Sequence, residues 1–109
     1  PSICIVSSVT GSRPSWTIGV YGSTKAALEN MIMWMADEMR SHNIRVAGVA
    51  PGLIQTEFSG PLWKGNDAIP KESVGQPEDI GAGVAMICSN DGRFVNGVTY
   101  GVHGGFPKL

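Results

Sequence analysis

The chain has 109 residues, enough for one small domain, and its 42% hydrophobic and 16% charged content excludes a disordered tail. A net charge of -1 and a pI near 6.1 argue against a nucleic-acid partner, because a phosphate backbone selects a basic face. No apolar run approaches the roughly 20 residues of a membrane span, so no membrane partner is expected.

In chain order, residues 3–6 (Ile-Cys-Ile-Val) form a short β-branched apolar run. They read as a strand buried on both faces, closed by Ser7 and Ser8, with Ser8 as its last residue. Residues 9–20 read as a loop, since Gly11, Pro14, Ser15 and Gly19 break any period. Residues 21–40 turn helical: Leu28, Met31, Ile32, Met35 and Met39 fall on one face. Residues 44–50 form a second strand, interrupted by Gly48 and stopped by Pro51-Gly52. Residues 53–75 show no clean period and read as an ordered loop with short helical pieces. Pro77-Glu78-Asp79 opens another helix, with Pro in the first turn and carboxylates favoured by the helix dipole. Ile80, Val84, Ile87 and Cys88 give its buried face, and Asn90-Asp91-Gly92 ends it. A loop and a third strand fill residues 94–102. Strand, helix, strand, loop, helix, strand is the order of a parallel α/β sheet with right-handed crossovers. Cys4 and Cys88 lie in apolar runs and read as buried core residues rather than a disulfide framework.

Three residues carry the chemistry. Tyr21 and Lys25 are four apart and share a helix face. In a parallel α/β sheet, ligands bind outside the carboxyl ends of the strands, which is where Ser8 falls. A phenol titrates near ~10, and a neighbouring ammonium favours its phenolate, moving Tyr21 toward the range of a useful general acid or base. Ser8 then hydrogen-bonds a substrate oxygen as charge develops on it. Singly, Tyr21 with Lys25 reads as a surface pair and Ser8 as a strand-end cap; meeting at one sheet edge gives them a shared role. The stretch Ala50-Pro51-Gly52-Leu53-Ile54-Gln55-Thr56 reads either as an ordinary strand-to-loop turn or as exposed amides and a hydroxyl that hold a ligand oxygen.

Ser8, the Tyr21-Gly22-Ser23-Thr24-Lys25 run, Asn43-Ile44-Arg45-Val46 and Pro51-Gly52 resemble the short-chain dehydrogenase/reductase superfamily. Gln76-Pro77-Glu78-Asp79-Ile80, Asn96-Gly97 and Gly104-Gly105 fit its C-terminal part. Within it the chain is similar to the NADP-dependent carbonyl/retinal reductase branch often found in peroxisomes, on residues 50–59, Leu62-Trp63, Ile87-Cys88-Ser89 and Gly104-Gly105-Phe106-Pro107.

The resemblance implies an α/β fold, the C-terminal part of a doubly wound parallel-sheet (Rossmann-type) domain. It implies reduction of a ketone or aldehyde with NADP(H), NAD(H) not being excluded. Tyr21 would give the proton, Lys25 would lower its pKa and hold the nicotinamide ribose, and Ser8 would orient the substrate oxygen. Pro51, Gly52, Ile54 and Thr56 would border the nicotinamide, and residues 57–74 would form a substrate loop. Phe58, Leu62 and Trp63 would line an apolar pocket, with packing beneath the loop the other reading for Trp63. No metal is called for, and His103, standing where the family often has Asp, reads as structural.

The family's Gly-rich first turn, its Asn-Asn-Ala-Gly stretch and the residue that selects NAD or NADP are not found in these 109 residues. The expectation is therefore a C-terminal portion of a single domain without its N-terminal cofactor-binding half. The alternative is a truncated, inactive remnant that at most associates with a full-length partner. Met33 and Trp34 lie beside the core stripe of helix 21–40. The resemblance implies a homodimer or homotetramer through that helix, with burial against other parts of the same polypeptide as the other reading. The ending Pro107-Lys108-Leu109 approaches a Ser-Lys-Leu peroxisomal address, so the expected location is peroxisomal or cytoplasmic.

Overall fold

The structure is a computed structural model and describes residues 1–106. The peroxisomal address read at Pro107-Lys108-Leu109 lies outside the described residues.

Three parallel strands, β1 (Ser2–Val6), β2 (Arg45–Pro51) and β3 (Thr99–Val102), form a sheet in the order β1-β2-β3. Helix α1 (Gly19–Met39) crosses from β1 to β2, and α3 (Pro77–Cys88) follows the short α2 (Gly60–Trp63) and leads to β3. β2 is buried on both faces, which is why it reads as a continuous apolar run. β1, an edge strand of the described sheet, is only half-buried with Val6 exposed, and β3 leaves Tyr100 and Gly101 exposed. On one face, Ile32 and Ala36 of α1 pack on Val46, with Ile3, Ile5, Met35 and Met39 around them. On the other, Ile87 of α3 packs on Ala47 and Val49, with Cys4, Ile80, Val84 and Val102 around them. The result is a helix-sheet-helix sandwich, the expected α/β class.

Gly48 continues β2 rather than interrupting it. A Cβ there would lie 2.4 Å from Ile32 Cδ1 and 2.7 Å from the Ile5 carbonyl oxygen, so its bareness lets α1 seat on the sheet. α3 begins with Pro77 at N1 and a capping box, in which the Gln76 amide donates to Asp79 Oδ2 at 2.8 Å. Its C-terminal end is held by Arg45, whose guanidinium donates to the carbonyls of Ile87 (2.8 Å) and Val95 (3.2 Å).

Several sequence expectations need correction. β1 ends at Val6, so Ser8 lies two residues beyond the strand and caps a 3-10 turn, Val9–Gly11. The expected loop also holds a second 3-10 turn, Trp16–Ile18, and α1 starts at Gly19 rather than Tyr21. α1 ends at Met39; a 3-10 turn, Arg40–His42, follows, and Asn43 (φ 57°) adopts the left-handed backbone that reverses the chain. Leu28 and Met31 are half-buried at the margin of the core rather than in it. Cys88 is exposed and Cys4 only half-buried beside the Ala47–Val49–Ile87 cluster, so neither is the buried core residue expected. Among the described residues, no helix is long and apolar enough to cross a membrane.

Candidate active site

A cleft of about 790 Å³ opens at the carboxyl ends of β1 and β2, between the first turns of α1 and α3. Small-molecule sites run from about 300 to 1,000 Å³. Val6, Ile18, Leu53 and Ile80 give it apolar walls. Ser8, Tyr21 and Lys25 border it together, as do Pro51, Gly52, Ile54 and Thr56, and Phe58 and Leu62 stand on its rim.

The position of the polar trio follows from how the chain leaves β1. The Ser7 amide donates to the Val49 carbonyl (2.8 Å), extending the sheet contact by one residue. The Ser7 hydroxyl donates to the Lys25 carbonyl (3.1 Å), fastening the strand end to α1. The following 3-10 turn then lies flush on that helix. A Cβ at Gly11 would sit 3.1 Å from the backbone of Lys25 and Ala26, and one at Gly22 would sit 2.8 Å from the Thr10 carbonyl oxygen. Two glycines thus set the distance between the turn carrying Ser8 and the helix carrying Tyr21 and Lys25.

Lys25 Nζ lies over the Tyr21 ring, 5.4 Å from its centroid, within cation–π range. Among the described residues the one ion pair is Asp37–Arg40, so Lys25 has no carboxylate partner there. Ser8 is 4% exposed, and its Oγ accepts from the Thr10 amide (3.2 Å) and the Thr10 hydroxyl (2.9 Å). A serine oxygen has two lone pairs and one proton to donate. With both lone pairs engaged, the Ser8 proton is what remains for a molecule in the cleft.

The segment after β2 is organised by Ser59, which is 8% exposed. Its hydroxyl donates to the Ile54 carbonyl and accepts from the Thr56 hydroxyl (3.1 Å) and the Trp63 indole N–H (3.1 Å), with the Thr56 amide nitrogen 3.3 Å away. The Gly52 amide donates to the Val102 carbonyl (2.9 Å), and a Cβ on Gly52 would meet His103 Cβ at 2.8 Å. Of the two readings for Trp63, the structure fits packing beneath the loop: it does not border the cleft, and Lys64 Nζ lies 5.8 Å from its ring centroid. It packs beneath the loop because its indole N–H is bound to Ser59. His103 serves a turn, its Nδ1 accepting from the Gly105 amide at 3.0 Å.

Thr10 and Ser59 were missed by reading the sequence. Each had a faint signal, a hydroxyl residue two or three positions from another, Ser8-x-Thr10 and Thr56-x-x-Ser59, the spacing of local side-chain turns. Among the described residues, two groups titrate away from their ordinary ranges. Burial raises the Glu29 carboxyl, which lies against Gly11 at the turn–helix seam. Burial, then the neighbouring Cys88 thiol, raises the Cys4 thiol.

A parallel sheet flanked by helices, with a hydroxyl, a phenol and an ammonium on its carboxyl edge, is a Rossmann-type ligand-binding fold. The chain belongs to the short-chain dehydrogenase/reductase superfamily, a family of oxidoreductases; a family model described as enoyl-(acyl carrier protein) reductase matches residues 1–107. It is 41% identical over 114 residues to dehydrogenase/reductase SDR family member 4 of Rattus norvegicus, covering 98% of this chain and 41% of that protein. It is similar in structure to a 7 alpha-hydroxysteroid dehydrogenase complexed with NADH and 7-oxo glycochenodeoxycholic acid (28% identity, TM-score 0.89, 95% of this chain and 43% of the other). It is also similar to ElxO with NADP bound (28% identity, TM-score 0.84, 95% and 45%). The chain thus spans about 41% of the length of the curated relative.

Proposed function

We propose that residues 1–109 are the C-terminal, catalytic portion of a single short-chain dehydrogenase/reductase domain, and that the whole protein reduces a ketone or aldehyde with NADP(H). One observation carries this reading: Ser8, Tyr21 and Lys25 border the same largely apolar cleft at the carboxyl edge of the sheet. A flat ring with a few hydroxyls and one amide fits such a wall, apolar for most of its area and polar at a few points. Bound there, the nicotinamide supplies the hydride.

This chain's residues do the rest. The Ser8 proton holds the substrate oxygen, and the Tyr21 hydroxyl gives its proton to that oxygen as negative charge grows on it. The Lys25 ammonium lies over the Tyr21 ring without an ion-pair partner among the described residues, so its charge would favour the phenolate left on Tyr21 and its N–H groups would bind the cofactor ribose. Pro51, Gly52, Ile54 and Thr56 border the cofactor, and Phe58 and Leu62 meet the apolar part of the substrate. The similar proteins hold NADH in one case and NADP in another. Preference for NADP(H) rests on the resemblance to the carbonyl reductase branch.

The same resemblance carries the proposed location, peroxisomal or cytoplasmic. A fluorescent reporter ending in residues 104–109 should enter peroxisomes in part; a diffuse signal unchanged on deleting Leu109 removes the address. For the activity, the full-length polypeptide carrying this segment should oxidise NADPH when given a vicinal diketone. Failure to turn over any ketone or aldehyde with either nicotinamide would leave the second reading, an inactive remnant that associates with a full-length partner.

A further inference from the structure

We infer that Thr10 is a positioning residue: its hydroxyl occupies a lone pair of Ser8 Oγ and so commits the Ser8 proton to the substrate oxygen. The inference rests on the carbonyl-reductase reading and adds to it a residue that touches neither substrate nor cofactor.

Thr10 is 2% exposed and does not border the cleft, yet both its amide (3.2 Å) and its hydroxyl (2.9 Å) point at the hydroxyl oxygen of Ser8, the residue of the pair that does. Its own place is fixed from behind, since Gly22 of α1 leaves room for the Thr10 carbonyl and little more. The amide alone would cap the turn. The second donor has a different consequence, because it fills the lone pair that would otherwise remain open toward the cleft.

An open lone pair would matter in this site. The Tyr21 hydroxyl borders the same cleft. A Ser8 oxygen free to accept competes with the substrate oxygen for the Tyr21 proton. A Ser8 oxygen already accepting twice can only donate, so the Ser8 and Tyr21 protons both go to the substrate oxygen. The chain Thr10 O–H to Ser8 O–H to substrate oxygen also polarises along its length, strengthening its last bond as charge develops there. The effect belongs to the transition state, so it acts on kcat.

The test separates the hydroxyl of Thr10 from its methyl group in the full-length polypeptide. Thr10→Val keeps the branched shape and loses the hydroxyl. Thr10→Ser keeps the hydroxyl and loses the methyl. Loss of one neutral hydrogen bond should lower kcat of Thr10→Val by about 3–10-fold, with KM and NADPH affinity within about twofold of wild type. Thr10→Ser should stay within about twofold of wild type in all three. Should Thr10→Val fail to fold, Thr10→Ala takes its place with the same expectation. Thr10→Val or Thr10→Ala matching wild type, or Thr10→Ser falling as far as they do, overturns the inference, since only the shape would then matter. A folded wild type that reduces no carbonyl compound overturns the carbonyl-reductase reading and this inference with it. An active wild type with an indifferent Thr10 overturns this inference alone.

Discussion

Single atoms decide the chemistry proposed for the cleft. Ser8 holds two incoming hydrogen bonds and one outgoing proton, and Lys25 has no carboxylate partner among the described residues. The Glu29 carboxyl shows a subtler effect at the same seam. Its folded-state pKa is raised by burial alone, so the native state holds the proton more tightly than the unfolded chain does. Its contribution to stability is therefore present in full below the ordinary carboxylate range and is lost as pH rises through the raised value. Glu29→Gln cannot ionise. Its melting temperature should match wild type in acid and exceed it by about 1–2 °C at neutral pH. Thermal melts at both pH values check this; an equal difference at the two would mean that packing, not ionisation, sets it.

Among elements, the contact between the 3-10 turn Val9–Gly11 and α1 sets the geometry of the site. Gly22→Ala should destabilise the fold by about 1–3 kcal/mol despite the better helix propensity of Ala, because the new Cβ meets backbone that cannot swing away. It should also lower turnover by moving Ser8 from Tyr21. Denaturant melts and steady-state rates test this together, and a variant as stable as wild type would show that the seam is looser than its distances indicate. Where the sequence carried a strong local signal, the element was legible: the β-branched run of β1, the helical spacing of Tyr21 and Lys25, and Pro77 with its acidic first turn. The two 3-10 turns before α1 were not, since short turns have no periodicity to read. Gly48 looked like a break only because its reason, the approach of Ile32, comes from 16 residues away in sequence. Trp63 stayed open between pocket lining and packing beneath the loop because an aromatic residue in a sequence carries no direction, which its bond to Ser59 sets. Cys88 looked buried from its apolar neighbours, yet it is exposed while Ile87 beside it is buried, since successive helix residues face different sides.

Across the whole molecule, the described sheet leaves the outer edge of β1 unpaired, and such an edge invites another strand. The curated relative is more than twice as long as this chain. Met33 and Trp34 are 57% and 51% exposed on the face of α1 turned from the sheet, which is the surface proposed for a homodimer or homotetramer. Trp34→Asp should shift the full-length protein to a smaller species in light scattering coupled to size exclusion, with its melting temperature little changed. An unchanged mass would place the oligomer contact elsewhere, and a loss of folding would instead mean that Trp34 is covered by other parts of the same polypeptide.

The central claim is that Tyr21 gives the proton to a carbonyl oxygen in this cleft. Tyr21→Phe keeps the ring and its packing beside Lys25 and removes only that proton. In the full-length protein, turnover of a vicinal diketone with NADPH should fall by at least about 100-fold, in line with the usual size of general acid catalysis, while NADPH affinity stays within a few-fold of wild type. Turnover within tenfold of wild type, with the cofactor still bound, would contradict the claim and take Tyr21 out of the reaction.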